Sequence, residues 1–434
     1  MKILLNSLLY HKKAHILFFL TYVLVTSAGL YFAETSVLSF LLMLFSIFIL
    51  YFLKLKDKVK WIIGIGILGG LLPLAASHGA AYQSYMEVAV FVGIYVAMAL
   101  GLNIVVGFAG LLDLGFVAFF AVGAYTYGIF ATAQASHFIP FGKFPLSGES
   151  FWVFLFIGCF VAALFGVLLG IPVLRVKGDY LAIVTLGFGE IIRIVFNNLD
   201  KPVNITNGAM GISSITPPKI FGISLIYPNQ FYYIVLVIVL SVIFIVRNLE
   251  QSKIGRAWKA VRENEIAAQA MGIPLVKTKL TAFAIGASFS GMMGVVFAAK
   301  QTFVDPTSFT LLESTNILVM VLLGGIGSIP GVILGAAIVT ILNLQVLTEL
   351  TNWLNGLSTS GIFSIPDALS PVKMQRFIFG ALLILFALFR SKGLLPAKNR
   401  KYDAEKLTAG EVSNNRIVVV ANEKMESLNG GQEA

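Results

Sequence analysis

The chain has 434 residues, of which 58% are hydrophobic and only 12% are charged. A soluble domain carries roughly a quarter of its residues as Asp, Glu, Lys or Arg, so this composition excludes an ordinary soluble protein. The net charge is +10, but the sequence contains no nucleic-acid-binding motif, so no nucleic-acid partner is expected. The single cysteine, Cys159, excludes an internal disulfide and a thiolate metal site.

Long apolar runs recur along the chain, each near the length of about 20 residues that a helix needs to cross a bilayer. They predict an all-α, polytopic transmembrane helical bundle with ten to twelve spans. The number of spans is given as a range because three runs, 180–196, 311–325 and 331–347, are short or interrupted by glycine. The full set lies near residues 16–33, 36–53, 61–77, 86–107, 111–133, 151–173, 180–196, 231–247, 280–299, 311–325, 331–347 and 376–389.

The Lys and Arg residues between these runs predict an N-in, C-in orientation, because cytoplasmic loops are enriched in both residue types. Twenty fall in segments that are internal with this orientation, and four fall in external ones. The internal segments are 1–15, 54–60, 174–179, 247–279 and 391–401. The external segments are 134–150, 198–229 and 350–374.

The segment 249–279 is a soluble connection between two spans. Residues 256–271 are rich in helix formers, and Gly272 followed by Pro274 is a stop signal, so a short cytoplasmic helix is predicted. Insertion of its apolar face into a groove on a soluble partner is one interpretation, and an interfacial helix on anionic lipid is the other. The apolar face consists of Trp258, Val261, Ala268 and Met271.

Glycines cluster inside three apolar runs, which are 101–116, 178–193 and 322–336. Such clusters predict either helix breaks that line a transport pathway or close helix packing. Two of the runs carry a carboxylate. Asp113 is a candidate acceptor for a substrate ammonium group, with a capping or solvated role as the rival interpretation. Glu190 is predicted to pair with Arg193 on one helix face.

The sequence holds no phosphate-binding loop, HExxH, CxxC or ordered Ser/His/Asp set, so the chain is predicted to be non-catalytic and to hold no metal. An ion gradient or another subunit must then supply energy for transport. A stand-alone secondary transporter that uses Asp113 and Glu190 is one alternative. A membrane-embedded enzyme is another, although no clustered catalytic set supports it.

Six segments, in order, resemble the LivM-type permeases of high-affinity branched-chain amino acid ABC importers. They are 101–128, 177–198, 206–212, 254–273, 305–336 and 377–395. The resemblance covers roughly residues 86–397 and implies a permease domain there. Residues 1–85 are then an N-terminal accessory transmembrane region, and 398–434 a cytoplasmic tail that its polar composition predicts to be disordered.

The resemblance implies a multi-pass subunit of the bacterial inner membrane. Its partners would be a second homologous permease, two cytoplasmic ATPases that use the ATP, and a periplasmic protein that binds leucine, isoleucine or valine. The chain itself would bind no cofactor, and its surroundings would be membrane lipid. Similar permeases carry urea or short amides, which are the alternative substrates.

The candidate substrate-pathway residues are Asn103, Gly107, Gly110, Asp113, Gly187, Glu190, Asn207, Gly208, Gly324, Gly325 and Gly327. The resemblance also implies that 256–271 is the segment that docks on an ATPase. Its candidate coupling residues are Arg256, Trp258, Arg262, Glu263, Glu265, Ala267, Ala268 and Gly272. The last four approximate the Glu-Ala-Ala and following Gly of importers, with a small departure in spacing.

Overall fold

A computed structural model describes most of the chain as helix. The described residues are 12–32, 37–53, 57–77, 82–140, 142–173, 176 and 179–359, with scattered positions between 373 and 397. The predicted span 376–389 lies mostly outside them, and the tail predicted at 398–434 lies entirely outside them.

Four helices precede the region of resemblance to known permeases. They are α1 (Lys12–Phe32), α2 (Val37–Phe52), α3 (Asp57–Gly66) and α4 (Leu72–Ala76), with a π-helical turn at Ile67–Leu71 joining the last two. The stacked rings of Phe40 and Tyr85, 4.8 Å apart, attach α2 to the long helix that begins at Tyr82. The proposed division of the chain at residue 85 stays a prediction.

The middle of the chain forms five long helices. They are α5 (Tyr82–Leu102), which continues as a π turn (Asn103–Phe108), α6 (Val117–Phe130), α7 (Phe151–Val173), α8 (Asp179–Asn198) and α9 (Pro228–Gln251). The predicted span 111–133 is shorter than expected, since its helix begins only at Val117.

Two short helices and four further long ones complete the described fold. They are α10 (Lys253–Glu263), α11 (Glu265–Ala270), α12 (Leu275–Gln301), α13 (Leu311–Gly324), α14 (Ile329–Ile341) and α15 (Leu347–Thr359), the last two joined by a π turn at Leu342–Val346. The strands β1 (Ile212–Ser213) and β4 (Phe303–Val304) pair antiparallel, as do β2 (Lys219–Ile220) and β3 (Ile223–Ser224).

Within the described residues, eight helical segments are long and apolar enough to cross a membrane, and three shorter apolar helices accompany them. This finding confirms the all-α, polytopic class. Eight is below the predicted ten to twelve spans, which are reached only when the three shorter helices are counted as well. All three runs that left the range open are among the eight, as Tyr180–Asn198, Pro306–Gly324 and Ile329–Asn355. The chain is therefore a multi-pass membrane protein.

Helix α12 lies at the centre of the bundle and packs against α5, α6 and α7. Glycines permit this approach. A methyl group on Gly123 would lie 1.9 Å from the carbonyl oxygen of Gly291, and one on Gly291 would lie 2.6 Å from that of Gly158. Small residues at crossing points let membrane helices come close enough for their backbones to touch.

The three glycine-rich runs behave differently. The first leaves helical structure after Phe108, and the third turns between Gly324 and Ile329, as predicted. The second does not break, because α8 runs without interruption through Gly187 and Gly189. Gly189 instead allows close packing, since a methyl group there would lie 3.1 Å from the Cα atom of Gly115. At 178–193 the structure therefore contradicts a helix break and supports the alternative interpretation, close packing.

Candidate functional site

The connection between α9 and α12, which the sequence predicts to be cytoplasmic, is two short helices rather than the single helix predicted at 256–271. Ser252 caps α10 through a hydrogen bond from the amide of Gly255 (3.2 Å). At Asn264 the backbone turns to extended dihedrals, and the Asn264 side chain accepts the amides of Ile266 and Ala267 at 3.0 Å each. An asparagine that satisfies these free amides starts a new helix, which explains the break.

The apolar face expected to dock on a partner is mostly covered by the chain itself. Trp258 is fully buried, and its indole Nε1 donates to the carbonyl oxygen of Thr278 on α12 at 2.9 Å. Val261 and Ala268 are also buried. The interpretation of these three residues as a partner-facing surface is therefore wrong in this chain, because α12 occupies that face.

Glu265 lies beside α12. Its carboxylate pairs with Lys279 at 2.6 Å, and only 6% of the Lys279 side chain is exposed. A carboxylate held by a buried ammonium group joins two elements, because separating the pair would leave a charge out of water. Together with the Trp258 contact, this pair fastens the two short helices to a central span.

A different set of side chains is open to a partner. Ile266 is 78% exposed and Met271 is 83% exposed, on and just after α11. Ala267, Gly272, Arg256 and Glu263 are exposed as well. Gly272 has the positive φ of +79° that the stop signal predicted, and the next amide bonds back to Ala268 at 3.0 Å.

Arg262 links the short helices to the π turn after α5. Its guanidinium donates to the carbonyl oxygen of Gly107, and the Lys259 ammonium lies 5.5 Å from the centre of the Phe108 ring. Gly110, with φ +72°, approaches the Arg262 side chain so closely that a methyl group would lie 2.8 Å from its Cγ atom. Two predicted pathway glycines thus contact a predicted coupling residue.

The same π turn contacts the turn between α13 and α14. Asn103 is fully buried, and its Oδ1 accepts the amide of Gly327 at 2.8 Å. A methyl group on Gly107 would lie 2.0 Å from that oxygen. The structure therefore brings Gly327 to Asn103 and Gly107, although it lies more than 200 positions from them in the sequence.

The turn between α13 and α14 uses glycine for conformation and for close approach. Gly325 and Gly327 have φ values of +123° and +79°. Gly324 packs on Gly331, because a methyl group on Gly324 would lie 2.2 Å from the carbonyl oxygen of Gly331. The amides of Leu394 and Leu395 donate to the last carbonyl groups of α13 at 2.9 and 3.0 Å, which satisfies a helix end.

Asp113 lies in the linker between α5 and α6 and is fully buried. Its Oδ1 accepts the amide of Gly115 at 2.9 Å, while the amide of Leu114 donates to Thr185 on α8 at 3.0 Å. Burial raises the pKa of Asp113 to about 7, and the Gly115 hydrogen bond lowers it in part. The carboxyl group shapes a turn, as the capping interpretation expects, and is closed to solvent.

The other predicted pathway residues lie elsewhere. Glu190 pairs with Arg193 at 2.8 Å on α8, as predicted, and Gly187 has open space beside it. Asn207 and Gly208 lie in the long connection between α8 and α9, at φ +61° and +56°. The side chain of Asn207 donates to the carbonyl oxygen of Gly211 at 2.9 Å, so it orders that connection.

One polar group escaped the sequence predictions. The hydroxyl of Tyr95 on α5 donates to Glu313 on α13 at 2.5 Å, and Asn316 donates to the same carboxyl group at 3.3 Å. The available signal was the run Glu-Ser-Thr-Asn at 313–316, which interrupts an apolar stretch.

Comparison with known proteins matches residues 84–387 to the family described as branched-chain amino acid transport system / permease component. The high-affinity branched-chain amino acid transport system permease protein LivM of Escherichia coli K12 is 36% identical over 79% of this chain and 75% of its own length. LivM of Salmonella typhimurium is 37% identical over 75% and 72%, respectively. A LivM permease protein of Methanocaldococcus jannaschii is 27% identical over 70% and 91%. No solved structure matches the chain.

The family match and the architecture agree. The match spans the helices from α5 onward, and the described residues supply the apolar helices that a permease of the inner membrane requires. The chain therefore belongs to the family of permease components of branched-chain amino acid transport systems.

Proposed function

We propose that the chain is the permease subunit of an ATP-driven importer that moves leucine, isoleucine and valine into the cytoplasm. Its partners are a second homologous permease, two cytoplasmic ATPases and a periplasmic substrate-binding protein. The chain catalyses no reaction and binds no cofactor, and the ATPases use the ATP. The observation that carries the proposal is the cytoplasmic pair α10–α11, which is fastened to a span while Ile266 and Met271 stay exposed.

Transport by alternating access follows from this arrangement. When the ATPases close around ATP, they displace the α10–α11 pair. Trp258 and Glu265 carry that motion to α12, and Arg262 carries it to the π turn at Asn103–Phe108. Asn103 then acts on the turn at Gly327. A displacement spreads along such contacts because packed elements move as units.

Uptake by the reconstituted complex tests the substrate and the energy source together. Radiolabelled leucine, urea and a short amide are offered to proteoliposomes with and without internal ATP. We expect ATP-dependent leucine accumulation that exceeds uptake of the two neutral compounds. Preferred uptake of urea or the amide would assign a different substrate. Gradient-driven leucine uptake by this chain alone would indicate a secondary transporter.

A further inference from the structure

The first two turns of α13 are polar in an otherwise apolar span. Residues 313–316 read Glu-Ser-Thr-Asn within the membrane-crossing segment Pro306–Gly324. Ser314 is accounted for, because its hydroxyl accepts the amide of Val117 at 3.1 Å. An ionisable side chain inside a span is costly and marks a functional position by default, so Glu313 needs an explanation.

The depth of Glu313 follows from its partner. Tyr95 lies thirteen residues from either end of the 27-residue segment Tyr82–Phe108, and its hydroxyl donates to the Glu313 carboxyl group at 2.5 Å. A helix rises about 1.5 Å per residue, so Tyr95 lies roughly 20 Å from each end of its span. Glu313 therefore lies about halfway along the length of that span rather than near one of its ends.

The carboxyl group of Glu313 is oriented but has no cationic partner in the part of the chain that the structure describes. Its two hydrogen-bond donors, Tyr95 and Asn316, are both neutral. The acids at other described sites are paired differently, for example Glu87 with Lys300 and Glu265 with Lys279. A carboxylate in a low-dielectric region is stabilised by a nearby positive charge. Because the described residues supply no such charge to Glu313, a cation from outside the chain would stabilise its carboxylate.

The same edge of α13 reaches the surface of the chain. Glu313, Thr315 and Asn316 are partly exposed, and Leu312 is 45% exposed. The neighbouring helix α8 packs against α13 and carries a second partly exposed polar pair at mid-span, Glu190 with Arg193. Polar side chains at this depth face a partner or a water-filled pathway rather than lipid.

We propose that Glu313, held in place by Tyr95 and Asn316, receives the α-ammonium group of the amino acid midway through the transport pathway. This inference rests on the proposed function. It makes Glu313 a determinant of the choice between amino acids and neutral solutes, because urea and amides bring no positive charge to the carboxylate.

Exchange of the carboxylate for an amide in the reconstituted complex tests the inference. The variant Glu313→Gln keeps the shape of the side chain but removes its charge. One carboxylate oxygen becomes an amide NH2 group, so either Tyr95 or Asn316 must reorient to accept a hydrogen bond instead of donating one. We expect leucine uptake to fall at least about tenfold, the scale of one hydrogen bond between charged groups. Glu313→Asp restores part of the uptake, since it keeps the charge.

ATP hydrolysis and co-purification of the subunits are unchanged in both variants. The matched control is Glu149→Gln, at an exposed site just before α7 at the end of the segment Gly148–Val173, which transports as the parent does.

Two results would overturn the inference. One is leucine uptake by Glu313→Gln at the level of the parent complex. The other is loss of the second permease from the purified Glu313→Gln complex, which would make Glu313 an interface residue. Failure of the proposed function is distinct, since the unaltered complex would then import no leucine with ATP, and the inference would fall with it.

Discussion

At the scale of single residues, glycine serves two separable purposes in this chain. Gly272 and Gly327 adopt positive φ angles that favour a residue without a Cβ atom. Gly107 instead leaves space for the side-chain oxygen of Asn103 and the amide of Gly327, and Gly123 leaves space for the carbonyl oxygen of Gly291. The sequence shows both kinds as clusters in apolar runs, and only the contacts separate conformation from close approach.

Alanine substitution at Gly107 is expected to destabilise the protein. The new methyl group would lie 2.0 Å from Asn103 Oδ1 and 2.8 Å from the Gly327 amide nitrogen, so the Asn103–Gly327 hydrogen bond must shift. Overpacking of this kind costs about 1–3 kcal/mol. Thermal unfolding in detergent, followed by the loss of monodisperse protein, measures the effect.

The matched control for that experiment is Gly187→Ala, because no atom lies within 4 Å of the position of its methyl group. We expect the midpoint temperature of this variant to equal or exceed that of the parent, since alanine favours a helix. Equal midpoints for the two variants would contradict the assignment of Gly107 as a close-approach position.

At the scale of elements, α10 and α11 show what amphipathic spacing leaves undecided. The spacing of Trp258, Val261 and Ala268 predicts one apolar face, and a face of this kind packs equally well on a partner or on the chain's own span. In the structure this apolar face is buried, and Trp258 donates a hydrogen bond to the span α12. The surface left to an ATPase is instead formed around Ile266 and Met271, beside the stop signal at Gly272.

Substitutions on the two faces are therefore expected to act differently. Ile266→Glu combined with Met271→Glu should abolish co-purification of the ATPases and ATP-dependent uptake while the permease keeps its thermal stability, because both side chains are exposed. Trp258→Ala should lower the stability of the isolated permease by about 3 kcal/mol or more, since it empties a buried site. If Trp258→Ala abolished co-purification of the ATPases and the double variant did not, the apolar face that contains Trp258 would be the docking surface after all.

The glycine-rich runs give a second lesson at this scale. The third run ends one helix and starts another because Ser328 caps α14 by accepting the amide of Gly331 at 3.2 Å. Pro330 then falls in the first turn, where a missing amide hydrogen costs nothing. The second run has no such cap or proline, so α8 continues through its glycines.

At the scale of the whole molecule, the orientation is testable in intact cells. In a Cys159→Ala background, Met210→Cys and Gln269→Cys each introduce one exposed thiol. The segment that contains Met210 is predicted to be external, and the segment that contains Gln269 is predicted to be cytoplasmic. A membrane-impermeant maleimide should label the first variant directly and the second only after permeabilisation. Labelling in the opposite order would reverse the assigned topology.

The sequence by itself determined the class of molecule and the family, and it predicts the approximate number of spans and the orientation. These properties depend on residue type and spacing along the chain, because bilayer thickness dictates run length and the Lys and Arg bias dictates sidedness. The stop at Gly272 and the pair Glu190–Arg193 were also predictable, since each involves neighbours within one helical turn or cap.

Only the tertiary structure decided which polar residues meet. Asn103 finds Gly327, Arg262 finds Gly107, and Tyr95 finds Glu313 across separations of more than 150 positions. It also decided that Trp258 is internal and that α8 does not break. Such contacts depend on the order in which helices pack, and apolar runs of similar length and composition carry little information about that order.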